Sequence, residues 1–291
     1  MPVPAHHTGV GTGASSAGPD APENAPDSAE QRPVAVPTVA SSIDRLADID
    51  FGQLEPHELA ALAVLMSRLR LTPPRRRGRR SRRHPHGDRL DLRATLRHGP
   101  RTGGDPVDRV YRKKTARPRR VVVLCDISGS MEPYARAYVQ FLHASAATSR
   151  AEVFTFATRL TRLTKALGGS QPQLALTKAA ATAPDWRGGT RIGAAIKTFL
   201  DEYGRRGLAR GAIVVVLSDG WERDAPELLG EQMARLHRLA HKVIWVNPRS
   251  AERDYAPLTG GMTVALPHCD AFLSGHSLTA LGKLADVIAS A

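Results

Sequence analysis

Val121-Val122-Val123-Leu124-Cys125-Asp126-Ile127-Ser128-Gly129-Ser130 is the stretch that decides how this chain folds. Its apolar run is short, and no polar residue alternates with the apolar ones. Such a run reads as a strand buried on both faces, and strands of that kind belong to parallel sheets with helices packed on either side. The run stops at Asp126. The turn Ile-Ser-Gly-Ser then leads into a stretch whose Tyr138, Phe141 and Leu142 fall on helical spacing.

The same grammar continues toward the C-terminus. Residues 152–157 (EVFTFA) form a second strand, and TRLTRLT after it alternates like an edge strand. A helix near 171–182 precedes the loop PDWRGGT, and another helix runs from about Ile192 to Tyr203. AIVVVLSD, residues 212–219, is a second doubly buried strand. A helix near 225–240, the strand KVIWVN, a short TVAL strand and a helix from about Ser277 complete the pattern. Strands alternating with helices predict a doubly wound α/β domain with a mostly parallel sheet, spanning residues 120–291.

Ahead of that domain the texture differs. Residues 1–40 carry seven prolines and no aromatic side chain, too little apolar surface to offset chain entropy, and read as a disordered tail. Residues 41–119 read as a short helix followed by a basic extension. The helix starts near Pro56, carries Leu59, Leu62, Ala63, Met66 and Leu69 at helical spacing, and is stopped by Pro73 and Pro74.

The formal charge of +13 is concentrated in this extension. Residues 68–120 are net +16, against −7 for residues 1–67 and +4 for residues 121–291. Its densest part is RRRGRRSRR, with Arg75, Arg76, Arg77, Arg79 and Arg80 in the first six positions. Two readings stay open: a solvated, self-repelling linker, or a patch for an anion such as nucleic acid, an acidic protein surface or anionic lipid. Tyr111 is the sole aromatic residue between Phe51 and Tyr134, so stacking on bases is not provided for.

Two cysteines, Cys125 and Cys269, build no disulfide scaffold and suit a reducing compartment. No apolar run approaches the ~20 residues of a membrane span. The first thirty residues hold no basic region leading into an apolar core. The expectation is a cytoplasmic protein.

In a doubly wound sheet, ligands bind beyond the carboxyl ends of the strands, where strand order reverses. Oxygen-bearing side chains stand at those ends here. Asp126, Ser128 and Ser130 follow the first strand, Asp219 follows the 212–218 strand, and Thr190 follows Gly188-Gly189 in the loop between them. Each alone is a common helix cap or turn residue. Together they make a hard-oxygen set with few charges, suited to Mg²⁺ or Mn²⁺, with Ca²⁺ overlapping, and not to zinc.

The order D-x-S-x-S, Thr, Asp resembles the metal-ion-dependent adhesion site of von Willebrand factor A (VWA) domains. Asp126, Ser128, Ser130, Thr190 and Asp219 match all five of its positions. The resemblance implies Mg²⁺ held partly through water, with one coordination position taken by a carboxylate of a partner protein. The segments VVVLCDISGSMEPYAR, PDWRGGTRIGAAI, VVVLSDGWER, VIWVNP and MTVALPHCDAFLSGHSL are further similar to the CoxE-like branch of VWA proteins. That similarity runs from about Ile43 to the C-terminus. It implies a non-catalytic adaptor, paired with a MoxR-type AAA+ ATPase, that serves maturation of a molybdenum hydroxylase such as carbon monoxide dehydrogenase.

Further side chains are candidates for partner contact. Trp186 and Trp221 lie in or beside the metal-bearing loops as interface anchors or loop packing. Glu132 either biases a partner's approach or complements a helix dipole. The Arg-rich run is expected to dock an acidic surface of the partner. The rival reading is a nucleic-acid-binding protein that grips with this run and uses the VWA domain as a scaffold. His237 and His241 stand at i, i+4 without a third ligand and read as solvated helix surface. His268, Asp270, His276 and both cysteines read as folding contacts. Catalysis is not expected: the chain lacks D-x-D at Asp126, a Walker-type loop, a G-x-S-x-G elbow, and a histidine within a few residues of the proposed ligands.

Overall fold

A computed structural model of the chain describes residues 42–98, 109–149, 151–168, 189–204, 207–252, 255–256 and 260–291. The expected tail over residues 1–40, the helix near 171–182 and Trp186 lie outside the described residues.

The described chain starts with α1 (Ser42–Asp48) and α2 (Pro56–Met66). Pro56 occupies the first turn of α2, and Glu55 and Glu58 cap each other's backbone in a reciprocal box. Strands β1 (Arg75–Arg83), β2 (Arg89–Leu90) and β3 (Tyr111–Pro118), with α3 (Leu92–His98) between the last two, then form a small antiparallel sheet in the order β1-β3-β2. The basic extension is therefore a strand where its arginines are densest.

The main sheet follows. Its strands are β4 (Val121–Asp126), β5 (Glu152–Phe156), β6 (Leu160–Arg162), β7 (Ile213–Leu217), β8 (Lys242–Asn247) and β9 (Ala271–Ser274). The helices are α4 (Glu132–Ser149), the single turn α5 (Thr164–Leu167), α6 (Ile192–Phe199), α7 (Pro226–Leu239), α8 (Gly260–Ala265) and α9 (Leu278–Ala289). A π-helical turn, Leu200–Gly204, extends α6. Strand order is β6-β5-β4-β7-β8-β9, parallel except for the β5–β6 edge pair.

The residues of β4 explain the layering. Val121, Val123 and Cys125 face a core shared with α4 and α9, whereas Val122 and Leu124 face a second core shared with α6 and α7. Alternation along a strand sends successive side chains to opposite faces, so both faces must be apolar when both are covered. Phe51, Leu62, Met66 and Leu71 belong to the first core, so the segment preceding the Arg-rich strand is anchored to the sheet's own helix layer. Phe51 N–H also donates to the His276 carbonyl at 2.7 Å.

Two expectations fail locally. TVAL is not a strand: residues 260–265 form α8, continued by a 3₁₀ turn to His268, and the sixth strand is AFLS. The β-branched Thr263 and Val264 suggested a strand, but Met262 and Ala265, three apart, bury one helical face against the second core. His241 is not on a helix face with His237, because α7 ends at Leu239. His237 sits in the last turn, 3.7 Å from Asp270. Asp270 and His276 do make folding contacts: Asp270 accepts from Val243 N–H at 2.6 Å, and the His276 ring bonds the Ser274 hydroxyl at 2.7 Å.

Candidate metal centre at the strand switch point

Strand order reverses at β4: β5 pairs on one side of it and β7 on the other. The crevice of a doubly wound sheet opens beyond the carboxyl ends of two such strands. Asp126 terminates β4, and Ser218-Asp219 follows β7. The parallel register that sets Cys125 beside Leu217 brings the two carboxylates to the same end of the sheet.

Asp126 is fully buried. Its Oδ1 accepts the Ser128 N–H at 2.9 Å and its Oδ2 accepts the Ser218 hydroxyl at 2.7 Å. Burial pushes its pKa up to about 7; the two hydrogen bonds pull down, and the negative charge of Asp219 pushes up. Asp219 is 5% exposed. Its Oδ1 accepts the Trp221 N–H at 3.1 Å, whereas its Oδ2 is buried without a hydrogen-bond donor. A buried carboxylate oxygen without a partner is costly, and such atoms call for an explanation.

Above the carboxylates lies a cavity of about 440 Å³ lined by Ser128, Gly129, Ser130, Gly189, Thr190, Trp221 and Arg223. The Ser128 and Ser130 hydroxyls stand 3.3 Å apart. Thr190 is 3% exposed, and its carbonyl accepts the Arg223 N–H at 2.9 Å, which ties its loop to the β7 loop. Three of the five residues singled out from sequence, Ser128, Ser130 and Thr190, line this cavity; Asp126 and Asp219 do not line it and are tied to its wall through the Ser128 and Trp221 N–H groups that their Oδ1 atoms accept.

The loops reach these positions because two glycines permit it. Gly189 has φ +81°, and an added Cβ would stand 2.9 Å from Arg223 Cδ. Gly220 has φ +80°, and a Cβ there would collide with the Met262 side chain. Both are left-handed conformations that L side chains rarely adopt.

Several residues that support the crevice were not singled out in the sequence. Ser218 links the two strand ends and also accepts the Gly220 N–H at 3.1 Å. Asn247, at the end of β8, donates to the Asp219 carbonyl at 2.9 Å, and Trp245 Nε1 donates to the Ser218 carbonyl at 3.0 Å. Glu222 reaches across to the first turn of α6, where its Oε2 accepts the Gly193 N–H at 2.7 Å. Arg223 contributes a guanidinium-bearing side chain to the cavity wall. Their signal was adjacency, since three of them flank Asp219 in the quoted segment VVVLSDGWER.

The remaining candidates separate. Trp221 lines the cavity and is 62% exposed, so it does not pack under its loop. Glu132 is exposed as the first residue of α4 and does not line the cavity. Arg75, Arg76, Arg77, Arg79 and Arg80 lie on β1, in the separate antiparallel sheet. Cys125 is buried in β4, with its thiol pKa raised by burial, and Cys269 is raised to about 12 for the same reason.

Residues 60–281, about three quarters of the chain, match the family of VWA domain containing CoxE-like proteins. The chain belongs to that family. Solved structures similar to it include the proximal thread matrix protein 1 from the mussel byssus with a zinc-occupied MIDAS motif, at 15% identity and a TM-score of 0.37 over 58% of this chain and 46% of that one. A von Willebrand factor type A protein from Catenulispora acidiphila is 15% identical over 62% of this chain and 44% of its own, with a TM-score of 0.39. An aerotolerance-related membrane protein from Bacteroides fragilis NCTC 9343, crystallised with multiple mutations to serines, is 16% identical over 58% of this chain and 97% of its own, with a TM-score of 0.36. The VWA chain thus spans about half the length of the first two. No curated protein matches the sequence. Among the described residues, no helix is long and apolar enough to cross a membrane.

The donor set fits a hard divalent cation. Among the described residues no three His, Cys, Asp or Glu side chains gather, so the crevice offers two carboxylates and a set of hydroxyls, with no nitrogen or sulfur cage. The donorless Asp219 Oδ2 is an acceptor that such a cation would satisfy.

Proposed function

We propose that this VWA chain is a non-catalytic adaptor that holds a divalent cation, Mg²⁺ in the first instance, at Asp126, Ser128, Ser130, Thr190 and Asp219. The observation that carries this reading is the buried Asp219 Oδ2 without a donor, next to a second buried carboxylate and under a wall of hydroxyls. Burial raises the pKa of Asp126 and the negative charge of Asp219 adds to that rise, so positive charge between the two carboxylates removes part of the cost of keeping them ionised out of water.

The cation would supply an open Lewis-acid position for a carboxylate oxygen of a partner protein. Exposed Trp221 and Arg223 flank that approach, one with apolar area and one with positive charge. The resemblance to CoxE-like proteins supports a MoxR-type AAA+ ATPase as that partner and a molybdenum hydroxylase as the client whose maturation is served.

Titration with Mn²⁺, followed by its paramagnetic resonance and competed with Mg²⁺, tests the cation. One site per chain is expected, with affinity at least tenfold weaker in Asp219→Asn. An unchanged titration in that variant overturns the assignment. Partner capture from the native cell with Mg²⁺ and with EDTA tests the rest. Retention of an AAA+ ATPase in both conditions would show docking that does not pass through the cation.

A further inference from the structure

The strand RRRGRRSRR pairs antiparallel with β3 in a register that places like charges opposite each other: Arg76 with Arg117, Arg82 with Lys113, and Arg83 with Arg112. Directly opposed like charges destabilise a ribbon. Neutralising partners are scarce: among the described residues the ion pairs of this sheet reduce to Arg112 with Asp91. The pairing is held by the backbone and its local bonds instead. The Arg75 guanidinium donates to the Ala116 carbonyl at 2.7 Å, Thr115 donates to the Arg80 carbonyl at 2.9 Å, and Arg119 N–H donates to the Pro74 carbonyl at 2.9 Å. Gly78 allows the close approach at the bulge, since a Cβ there would stand 2.5 Å from Thr115 Oγ1.

The register also sorts the charges by face. Paired residues share a face, and neighbours along a strand alternate. Arg76, Arg82, Lys113 and Arg117 therefore lie on one face, and Arg75, Arg77, Arg83, Arg112 and Lys114 on the other, all of them exposed. Nine residues of strand extend about 30 Å. A flat acidic protein surface would neutralise one face and leave the other facing water. A groove with negative walls neutralises both.

We propose that the β1–β3 ribbon is a nucleic-acid arm whose partner is double-stranded DNA. β2 pairs with β3 only at Tyr111 and Arg112, so over Arg75–Arg82 and Lys113–Pro118 the sheet is a two-stranded ribbon. The major groove of B-form DNA is about 12 Å wide, admits such a ribbon and is bounded on both sides by phosphate backbones. The deep, narrow major groove of duplex RNA does not admit one. Single strands are bound by aromatic stacking platforms, and Tyr111, half-buried at one end of β3, is the sole ring in these strands. Contacts to phosphates carry no sequence information, so binding is sequence-independent. This inference is independent of the cation site: it requires neither Asp126 nor Asp219.

The test uses the full chain and a fluorescent 20-base-pair DNA duplex of mixed sequence, read by anisotropy from 50 to 200 mM salt. The expected affinity falls about 10³-fold or more over that range, for about six phosphates neutralised, and is unchanged by EDTA. Two triple variants separate the faces: Arg82→Gln, Lys113→Gln, Arg117→Gln on one, and Arg77→Gln, Arg83→Gln, Lys114→Gln on the other. Each is expected to weaken binding at least tenfold and to reduce the salt slope by about three. Versions with lysine at the arginine positions, and Lys113 or Lys114 left in place, are expected to bind within a few-fold of the parent, which separates lost charge from lost folding. Equal binding of a single-stranded 20-mer overturns the groove fit. Poly-glutamate competing as well as duplex at equal charge overturns the nucleic acid in favour of an acidic protein. A loss confined to one face overturns the two-walled geometry.

Discussion

The hydroxyl of Ser218 donates to Asp126 Oδ2 at 2.7 Å and joins the carboxyl ends of β7 and β4, 92 residues apart in sequence, by one buried side-chain bond. The bond holds Asp126 in place at the floor of the crevice and partly offsets the cost of burying its charge. Ser218→Ala removes the donor and leaves Asp126 Oδ2 without a partner. Expected is a loss of about 1–3 kcal/mol in unfolding free energy, read by urea denaturation. A weaker Mn²⁺ titration should accompany it if Asp126 helps to hold the cation.

Burial sets a pH dependence with a definite sign. Asp126 keeps its proton up to about 7 in the folded chain, against about 3.9 in an unfolded one. Between those values the folded state binds the extra proton, so its stability falls as pH rises and levels off above the folded pKa. From pH 5 to pH 8 the cation-free protein is expected to lose on the order of 2 kcal/mol through this group. Asp126→Asn should flatten that part of the profile. Denaturant midpoints at the two pH values, compared between parent and variant, provide the check; identical slopes would show that Asp126 titrates normally.

Glycine geometry distinguishes strain from collision. Gly220 and Gly207 both have positive φ, +80° and +107°. A methyl group at Gly220 meets Met262, whereas one at Gly207 meets no atom within 4 Å. Gly207→Ala therefore adds backbone strain alone, about 1–2 kcal/mol, and Gly220→Ala adds a clash in the second core and should cost more. Thermal melts of the two variants compare them, and the Gly220 variant should also displace Trp221 at the cavity mouth.

The parts of the fold legible in the sequence are those where burial on two faces dictates composition. VVVLC and IVVVL hold nothing but apolar residues because helices cover both sides, and the polar residues after them mark the crevice. The Arg-rich strand was illegible for the opposite reason. No apolar alternation distinguishes its faces, and its pairing joins residues of β3 that lie 29 to 43 positions further along the chain. TVAL misled because β-branched residues suit a strand, while its burial follows a helical period. Within the crevice, Asp126, Ser128, Ser130, Thr190 and Asp219 could be read from type and spacing. Asn247 and Glu222 could not, since each acts only through the position that β8 or the β7 loop gives it.

Glu222 is the residue whose role is most specific to the three-dimensional arrangement. Its Oε2 accepts the Gly193 N–H at the start of α6 and its Oε1 accepts the Asp224 N–H at 3.0 Å, so one carboxylate ties the β7 loop to the helix that follows Thr190. Half-burial raises its pKa, and the two backbone bonds act against that rise. The negative charge also complements the helix N-terminus. Glu222→Gln keeps an acceptor and loses the charge, and should cost about 0.5–1 kcal/mol; Glu222→Ala loses both and should cost about 1–2 kcal/mol. The alanine variant loosens the loop carrying Thr190 from the β7 loop carrying Trp221, so cation affinity should fall with it while the glutamine variant stays near the parent. Equal cation affinity in all three proteins would show that the loop holds Thr190 without this tie.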